Sequence, residues 1–179
     1  YFPKVFHYMR QHVDPLYARY GIQRNFKSSA YPTATANLGP STVCFRHHDG
    51  MNHPGTPCVI TPLGNFDPKR GGHLVLYDLG LKIEFPPGHT IIISSAGFLH
   101  GNTPIQQGET RYSFTQYLPG GLVRWVHLGF RRAKEVTKEA RARAYELGGG
   151  FDGQLARFSK YAELEEDRDW LRRQELVAL

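Results

Sequence analysis

His47-His48-Asp49 is followed fifty-one residues after Asp49 by His100, and eleven residues after that by Arg111-Tyr112-Ser113. Read as His-x-Asp, His and Arg-x-Ser, the set offers two imidazoles and a carboxylate for one face of an Fe(II) ion, and a fixed cation for an acidic cosubstrate. A 2-His-1-carboxylate face leaves coordination positions open, which lets iron hold 2-oxoglutarate through two oxygens and still take O2. A structural zinc site would close those positions. The predicted chemistry is Fe(II)/2-oxoglutarate-dependent oxygenation, with His47, Asp49 and His100 as catalytic metal ligands and Arg111 and Ser113 binding the cosubstrate.

The spacing has to be delivered by backbone. In an extended strand successive side chains alternate faces, so His47 and Asp49 would point one way and His48 the other. A second copy, His12-Val13-Asp14, tests the argument. It lies where Phe2, Val5, Phe6, Met9, Val13, Leu16, Tyr17 and Tyr20 recur at three and four, a helical period. On a helix residues i and i+2 diverge by about 200°, so His12 and Asp14 cannot share an ion and are expected at the surface. The copy at 47–49 follows a β-type run, Ser41-Thr42-Val43-Cys44-Phe45-Arg46. Arg111 and Ser113 repeat the i, i+2 logic on a strand over 110–118. There a guanidinium would pair with a carboxylate through two parallel hydrogen bonds and a hydroxyl would add a third donor. The competing reading of Arg111 is an ordinary salt bridge, for example to Glu109.

The elements around these motifs are short. After an N-terminal helix over about 2–20, β-rich runs are predicted at 31–38, 41–49, 57–63, 73–77, 79–85, 89–94 and 110–118. They are separated by turn signals such as Gly39-Pro40, Gly64-Asn65, Pro86-Pro87-Gly88 and Gly101-Asn102. Many short strands with Gly/Pro turns predict a jelly roll. The fold expected is mainly β with flanking helices (α+β), a double-stranded β-helix core with the metal in the mouth between its sheets. Beyond Arg131 a stripe of Ala133, Val136, Ala140, Ala144 and Leu147, broken by Gly148-Gly149-Gly150, predicts helices. The division expected is 1–130 for the N-terminal helix and oxygenase core, and 131–179 for supporting helices that are not an independent domain.

The chain's 179 residues, 40% of them hydrophobic, suffice for one compact core. No apolar run approaches membrane-spanning length, and Cys44 and Cys58 are too few for a disulfide framework. A soluble, intracellular protein is expected, and a monomer; opening on Tyr1, it is expected to be a fragment or a processed form. The net charge is +6, and residues 131–143 hold six basic residues against two acidic. Such a pattern favours a polyanionic partner such as nucleic acid.

From about Asn37 to Arg131 the sequence resembles the TET/JBP family of Fe(II)/2-oxoglutarate oxygenases that act on methylated bases in DNA, most of all the TET-like dioxygenases of mushroom-forming fungi. The resemblance rests on Phe66-Asp67-Pro68, Gly71-Gly72-His73-Leu74-Val75-Leu76, Phe85-Pro86-Pro87-Gly88, the run Arg111 to Tyr117, Gly120-Gly121-Leu122 and Arg124-Trp125. It implies nuclear location, double-stranded DNA with a flipped methylated base as partner, and oxidation of the base methyl group, 5-methylcytosine first and N6-methyladenine second. It also implies substrate-binding roles for Asn52, at the base edge, and for Tyr117, stacked on the base; Asn37, Thr35 and His53 are further candidates for the pocket wall. Where animal TET enzymes place a base-contacting His, this chain has Pro119, and their Cys-rich region is absent. Three readings stand beside this one: an Fe(II)/2-oxoglutarate hydroxylase of a protein or small molecule, a non-catalytic jelly-roll binding module, and a zinc hydrolase on the same ligands.

Overall fold

The computed structural model describes residues 1–177 and divides into two compact units, Thr33–Pro119 and a helical unit made of Tyr1–Pro32 with Gly120–Leu179. The β unit holds seven strands: β1 (Thr33–Asn37), β2 (Cys58–Asn65), β3 (Leu74–Leu76), β4 (Leu81–Ile83), β5 (Ile91–Ile93), β6 (His100–Asn102) and β7 (Thr110–Tyr117). They form a four-stranded sheet in the order β1-β7-β2-β5 and a three-stranded sheet in the order β4-β3-β6, with every pairing antiparallel. Cys58 and Ile93 from the larger sheet meet Leu74 and Leu76 from the smaller one, with Phe85, in one buried apolar cluster. This is the mainly β, jelly-roll-like core expected, with its hydrophobic layer between two sheets.

β7 does most of the positioning. Residues 113–117 of this strand pair with β1 on one side (Asn37 opposite Ser113) and residues 110–116 with β2 on the other (Gly64 opposite Arg111), so its register is fixed from both edges. Gly64, at φ 114°, is required there: a Cβ would stand 2.3 Å from the Thr110 carbonyl oxygen. Gly64-Asn65 therefore belongs to β2 and is not a turn.

Residues 41–49 are not the strand expected. They form an irregular strap with isolated bridges at Ser41 to Arg111 and His47 to His100. Val43, Cys44 and Phe45 have strand-forming side chains, but what fixes their course is contact with β6 and β7, which are distant in sequence. Gly101-Asn102, read as a turn, lies inside β6.

The helical unit contains α1 (Pro3–Tyr20), α2 (Gly120–His127), α3 (Lys138–Leu147), α4 (Gly150–Leu155) and α5 (Leu164–Val177). α1 buries Val5, Met9, Val13 and Leu16, the stripe its periodicity predicts, and packs on α2 and α5. A Lys4–Asp167 ion pair at 2.9 Å and the edge-on packing of His7 against Trp170 join α1 to α5. No described helix is long and apolar enough to cross a membrane.

Candidate metal and cosubstrate site

One cavity of about 480 Å³ opens between the two sheets of the β unit, within the usual size of a small-molecule site. From β7 it is lined by Arg111, Ser113, Thr115 and Tyr117, every second residue of one strand, and from β1 by Thr35 and Asn37. His100 and Asn102 enter from β6, and His47, Asp49 and Asn52 from the strap and the turn after it. The residues singled out from the sequence as ligands and pocket wall thus share one cavity, with the exception of His53. That histidine is buried outside the lining, its backbone N–H donating to the Leu118 carbonyl at 2.8 Å.

The three metal-ligand candidates present donor atoms that all lie within 4.8 Å of one another, the only such group of three or more His, Cys, Asp or Glu among the described residues. Each histidine is set by its own backbone. His47 Nδ1 lies 2.6 Å from the Phe45 carbonyl oxygen and His100 Nδ1 lies 2.9 Å from that of Phe98. A carbonyl only accepts, so Nδ1 carries the proton on both rings and the Nε2 lone pairs are left for a ligand. Such a bond from the distal nitrogen is the usual support of a metal-binding imidazole. Burial, above all, pushes the His100 pKa below the ordinary imidazole value, with His47 and His48 adding to it. Asp49 Oδ1 lies 3.4 Å from His47 Nε2, while its Oδ2 accepts from the Asn52 amide at 3.2 Å. Two imidazoles and a carboxylate converging in this way suit a divalent cation of the Fe(II) type.

His48 does not turn away as strand alternation predicts: it also lines the cavity. The strap is not a pleated strand, so the alternation argument does not apply to it.

Arg111 is the cation of the cavity. Only 3% of its surface is exposed, its Nη1 donates to the Thr42 carbonyl at 3.2 Å, and its Nε is buried with no partner. No carboxylate among the described residues lies within ion-pair distance of it. Glu109, the partner in the competing reading, instead accepts the backbone N–H groups of Asp67 and Gln106. Burial pulls the guanidinium pKa below its usual value, because the charge loses solvation there. A buried guanidinium with an orphaned donor fits a carboxylate-bearing ligand. Ser113 stands two residues along the same face, its Oγ accepting from Asn37 Nδ2 at 2.8 Å, which leaves the hydroxyl proton free to donate.

Two expected substrate residues are tied into this framework. Asn52 Nδ2 donates to Asp49 and, at 3.1 Å, to Ser95 Oγ, and the Tyr117 hydroxyl meets Thr35 Oγ1 at 3.2 Å. Sequence reading missed Asn102 and Ser95. For Asn102 the available signal was its neighbour, since a glycine inside a strand marks a close backbone approach.

No protein-family model and no curated protein matches the chain. Among solved structures, the chain is similar to NgTET1 in complex with 5mC DNA, with 21% identity and a TM-score of 0.51 over 65% of this chain. The chain spans 42% of the length of that structure. A viral collagen prolyl hydroxylase from Paramecium Bursaria Chlorella virus-1, in a 2OG complex, matches at 13% identity over 60% of this chain and 69% of its own, with a TM-score of 0.35. At 21% identity the first likeness is one of fold, and the second adds nothing to it.

Proposed function

We propose that the protein is an Fe(II)/2-oxoglutarate-dependent dioxygenase that oxidises the methyl group of a methylated base in DNA, 5-methylcytosine in the first place and N6-methyladenine in the second. The observation that carries the oxygenase reading is the meeting, in one cavity, of a His-Asp-His donor set with a buried guanidinium that has no counter-ion among the described residues. His47, Asp49 and His100 would hold the iron, and Arg111 with Ser113 the far carboxylate of 2-oxoglutarate. With O2, the bound pair supplies the oxidation of a C–H bond to C–OH, 2-oxoglutarate leaving as succinate and carbon dioxide. The Nδ1–carbonyl bonds would keep both imidazoles aimed, Asn52 steadies the carboxylate, and the apolar wall of Ile60, Leu74 and Phe85 limits water.

The DNA reading is supported by the resemblance to TET-like enzymes, by the fold shared with NgTET1, and by the net positive charge of the chain. In it, the Tyr117 ring supplies a stacking face for a base turned out of the duplex and Asn52 meets the base edge, its amide nitrogen already engaged and its carbonyl oxygen left as acceptor. A nuclear, monomeric enzyme of the kind found in mushroom-forming fungi is part of the same proposal. One observation favours a second reading, hydroxylation of a protein or small molecule: residues 33–119 hold five Lys/Arg against five Asp/Glu, so the unit with the cavity has no excess of positive charge.

The deciding experiment incubates the protein with Fe(II), ascorbate, 2-oxoglutarate and duplexes carrying 5-methylcytosine or N6-methyladenine, followed by nucleoside mass spectrometry. A hydroxymethyl or demethylated product from either duplex is expected, the adenine product losing formaldehyde. No product from either, with brisk succinate release on a peptide or metabolite, would transfer the chain to the second reading.

A further inference from the structure

We propose that Asn102 is a positioning residue for this site: its side chain clamps the strap to β6 and thereby keeps His47 and Arg111 in one register. The inference rests on the reading of the triad and of Arg111 given above.

Between its bridges at Ser41 and His47 the strap has no regular structure. Asn102 supplies what is missing. Its Oδ1 accepts the Cys44 N–H at 2.7 Å, and its Nδ2 donates to the carbonyls of Thr42 at 3.3 Å and Thr103 at 3.0 Å. Its own backbone N–H donates to the Cys44 carbonyl at 3.0 Å. An acceptor facing an N–H and a donor facing carbonyls also fixes which end of the amide is oxygen.

The Thr42 carbonyl is shared. It receives both the Asn102 amide and Arg111 Nη1, while the Thr42 N–H donates to the Arg111 carbonyl at 3.1 Å. At the other end of the strap, His47 and His100 exchange backbone hydrogen bonds of 2.9 and 3.0 Å, two residues before Asn102. A shift of the strap at Cys44 therefore disturbs Thr42, which holds the guanidinium, and His47, which faces the other ligands. Gly101 makes the clamp possible, because a Cβ there would stand 2.8 Å from the Cys44 carbonyl oxygen. Only a carboxamide offers an acceptor and two donors on so short a stem; aspartate offers acceptors alone and alanine neither.

The test measures Mn(II) binding to the metal-free 179-residue protein, then 2-oxoglutarate binding with Mn(II) present, for the wild type, Asn102→Ala and Asn102→Asp. Supporting residues behind metal ligands cost about tenfold to a hundredfold in affinity when removed. Asn102→Ala is expected to weaken both ligands by a factor in that range. Asn102→Asp, which retains the acceptor toward Cys44, should lose less metal affinity than the alanine variant, yet still lose 2-oxoglutarate affinity through Thr42. Ile93→Val, in the core cluster of the same unit and away from the strap, controls for simple loss of stability. It should lower Tm and leave both binding constants unchanged. If Asn102→Ala does not fold, Asn102→Asp decides alone. Wild-type binding of Mn(II) with unchanged constants in the folded Asn102 variants, or equal losses in Ile93→Val at matched Tm, would overturn the inference. Failure of the wild type to bind Mn(II) would overturn the reading of the triad itself, and the inference with it.

Discussion

The chain carries His-x-Asp twice, and the two copies show how little three residues determine until a backbone carries them. On α1, His12 and Asp14 go separate ways: Asp14 is held by Arg10 and Arg24, while His12 Nε2 faces His127 Nε2 at 2.8 Å. In the β unit, His47 and Asp49 converge with His100. Both sites pair two imidazoles, with ring centroids 4.8 Å apart in the helical unit and 4.4 Å apart in the β unit. His12 even shares the Nδ1-to-carbonyl support, donating to Tyr8 at 2.7 Å. The difference is the third group. Asp49 brings a negative charge to the pair in the β unit, whereas the pair in the helical unit has the Arg157 guanidinium as its charged neighbour. A divalent cation is stabilised in the first arrangement and repelled by the second.

The largest effect should follow from breaking the copy in the β unit. His47→Ala, Asp49→Ala and His100→Ala are each expected to abolish 2-oxoglutarate turnover, exceeding the roughly hundredfold loss typical of supporting residues, with the fold retained by circular dichroism. Asp14→Ala should leave succinate release within about twofold while lowering Tm, since its partners are structural. Wild-type turnover in any triad variant would remove that residue from the metal site. His48→Ala should cost less than the three ligands, because His48 lines the cavity outside the cluster of converging donor atoms.

Next in size is the cation. Arg111→Ala should raise the 2-oxoglutarate requirement by about 2 to 5 kcal/mol, the loss of one side of a buried charge-assisted pair. Arg111→Lys should recover little of it, because an ammonium cannot reproduce the bidentate fork. A fall in DNA affinity with an unaltered 2-oxoglutarate requirement would make Arg111 a phosphate contact instead.

These two sets of residues differed in how readable they were. Arg111 and Ser113 sit on a long strand paired on both sides, so alternation placed them correctly, as the helical period placed α1. The 41–49 segment was misread because its composition favours a strand while its conformation is imposed by Asn102 and Arg111, 58 to 69 residues away in sequence from the positions they hold. β6 was invisible for a related reason: His-Gly-Asn has little strand propensity, and its pairing with β3 and the strap comes from tertiary contact. α2, which opens on Gly120-Gly121, was hidden by two residues that ordinarily disfavour a helix. His12, expected at the surface, is half buried because α2 brings His127 against it.

A smaller effect belongs to the substrate side. If a methylated base enters this cavity, Tyr117→Ala should reduce oxidised nucleoside by about 1 to 3 kcal/mol of lost stacking, and Asn52→Ala should reduce it as well. For Tyr117→Ala, uncoupled succinate formation should fall far less than base oxidation. Equal losses of both products would place Tyr117 on the metal and cosubstrate side, in the company of Asn102.

The smallest effect sharpens the contrast between the two imidazole pairs. Burial, above all, lowers the pKa of both His12 and His127, with Arg157 pushing the same way and the Tyr8 and Ala144 backbones pushing back. A second proton would also have to break the 2.8 Å contact between the two Nε2 atoms. Folded values below the ordinary imidazole pKa mean that the unfolded chain binds more protons across the window beneath about 6.5. The stability linked to this pair is therefore complete above that pH and is lost as the pH falls through the lowered folded values. His100 shifts in the same direction inside the β unit, so the measurement must separate the two pairs. The Tm difference between pH 7.5 and pH 5 is expected to shrink in His127→Phe, where no second imidazole remains to be charged. In His100→Ala the contribution of the helical pair should persist. Saturating Mn(II) should raise Tm in the wild type and in His127→Phe alike, since a ligand that binds only the folded state stabilises it. A rise with Mn(II) that required His127 would show the metal bound at the helical pair and would undo the distinction between the two.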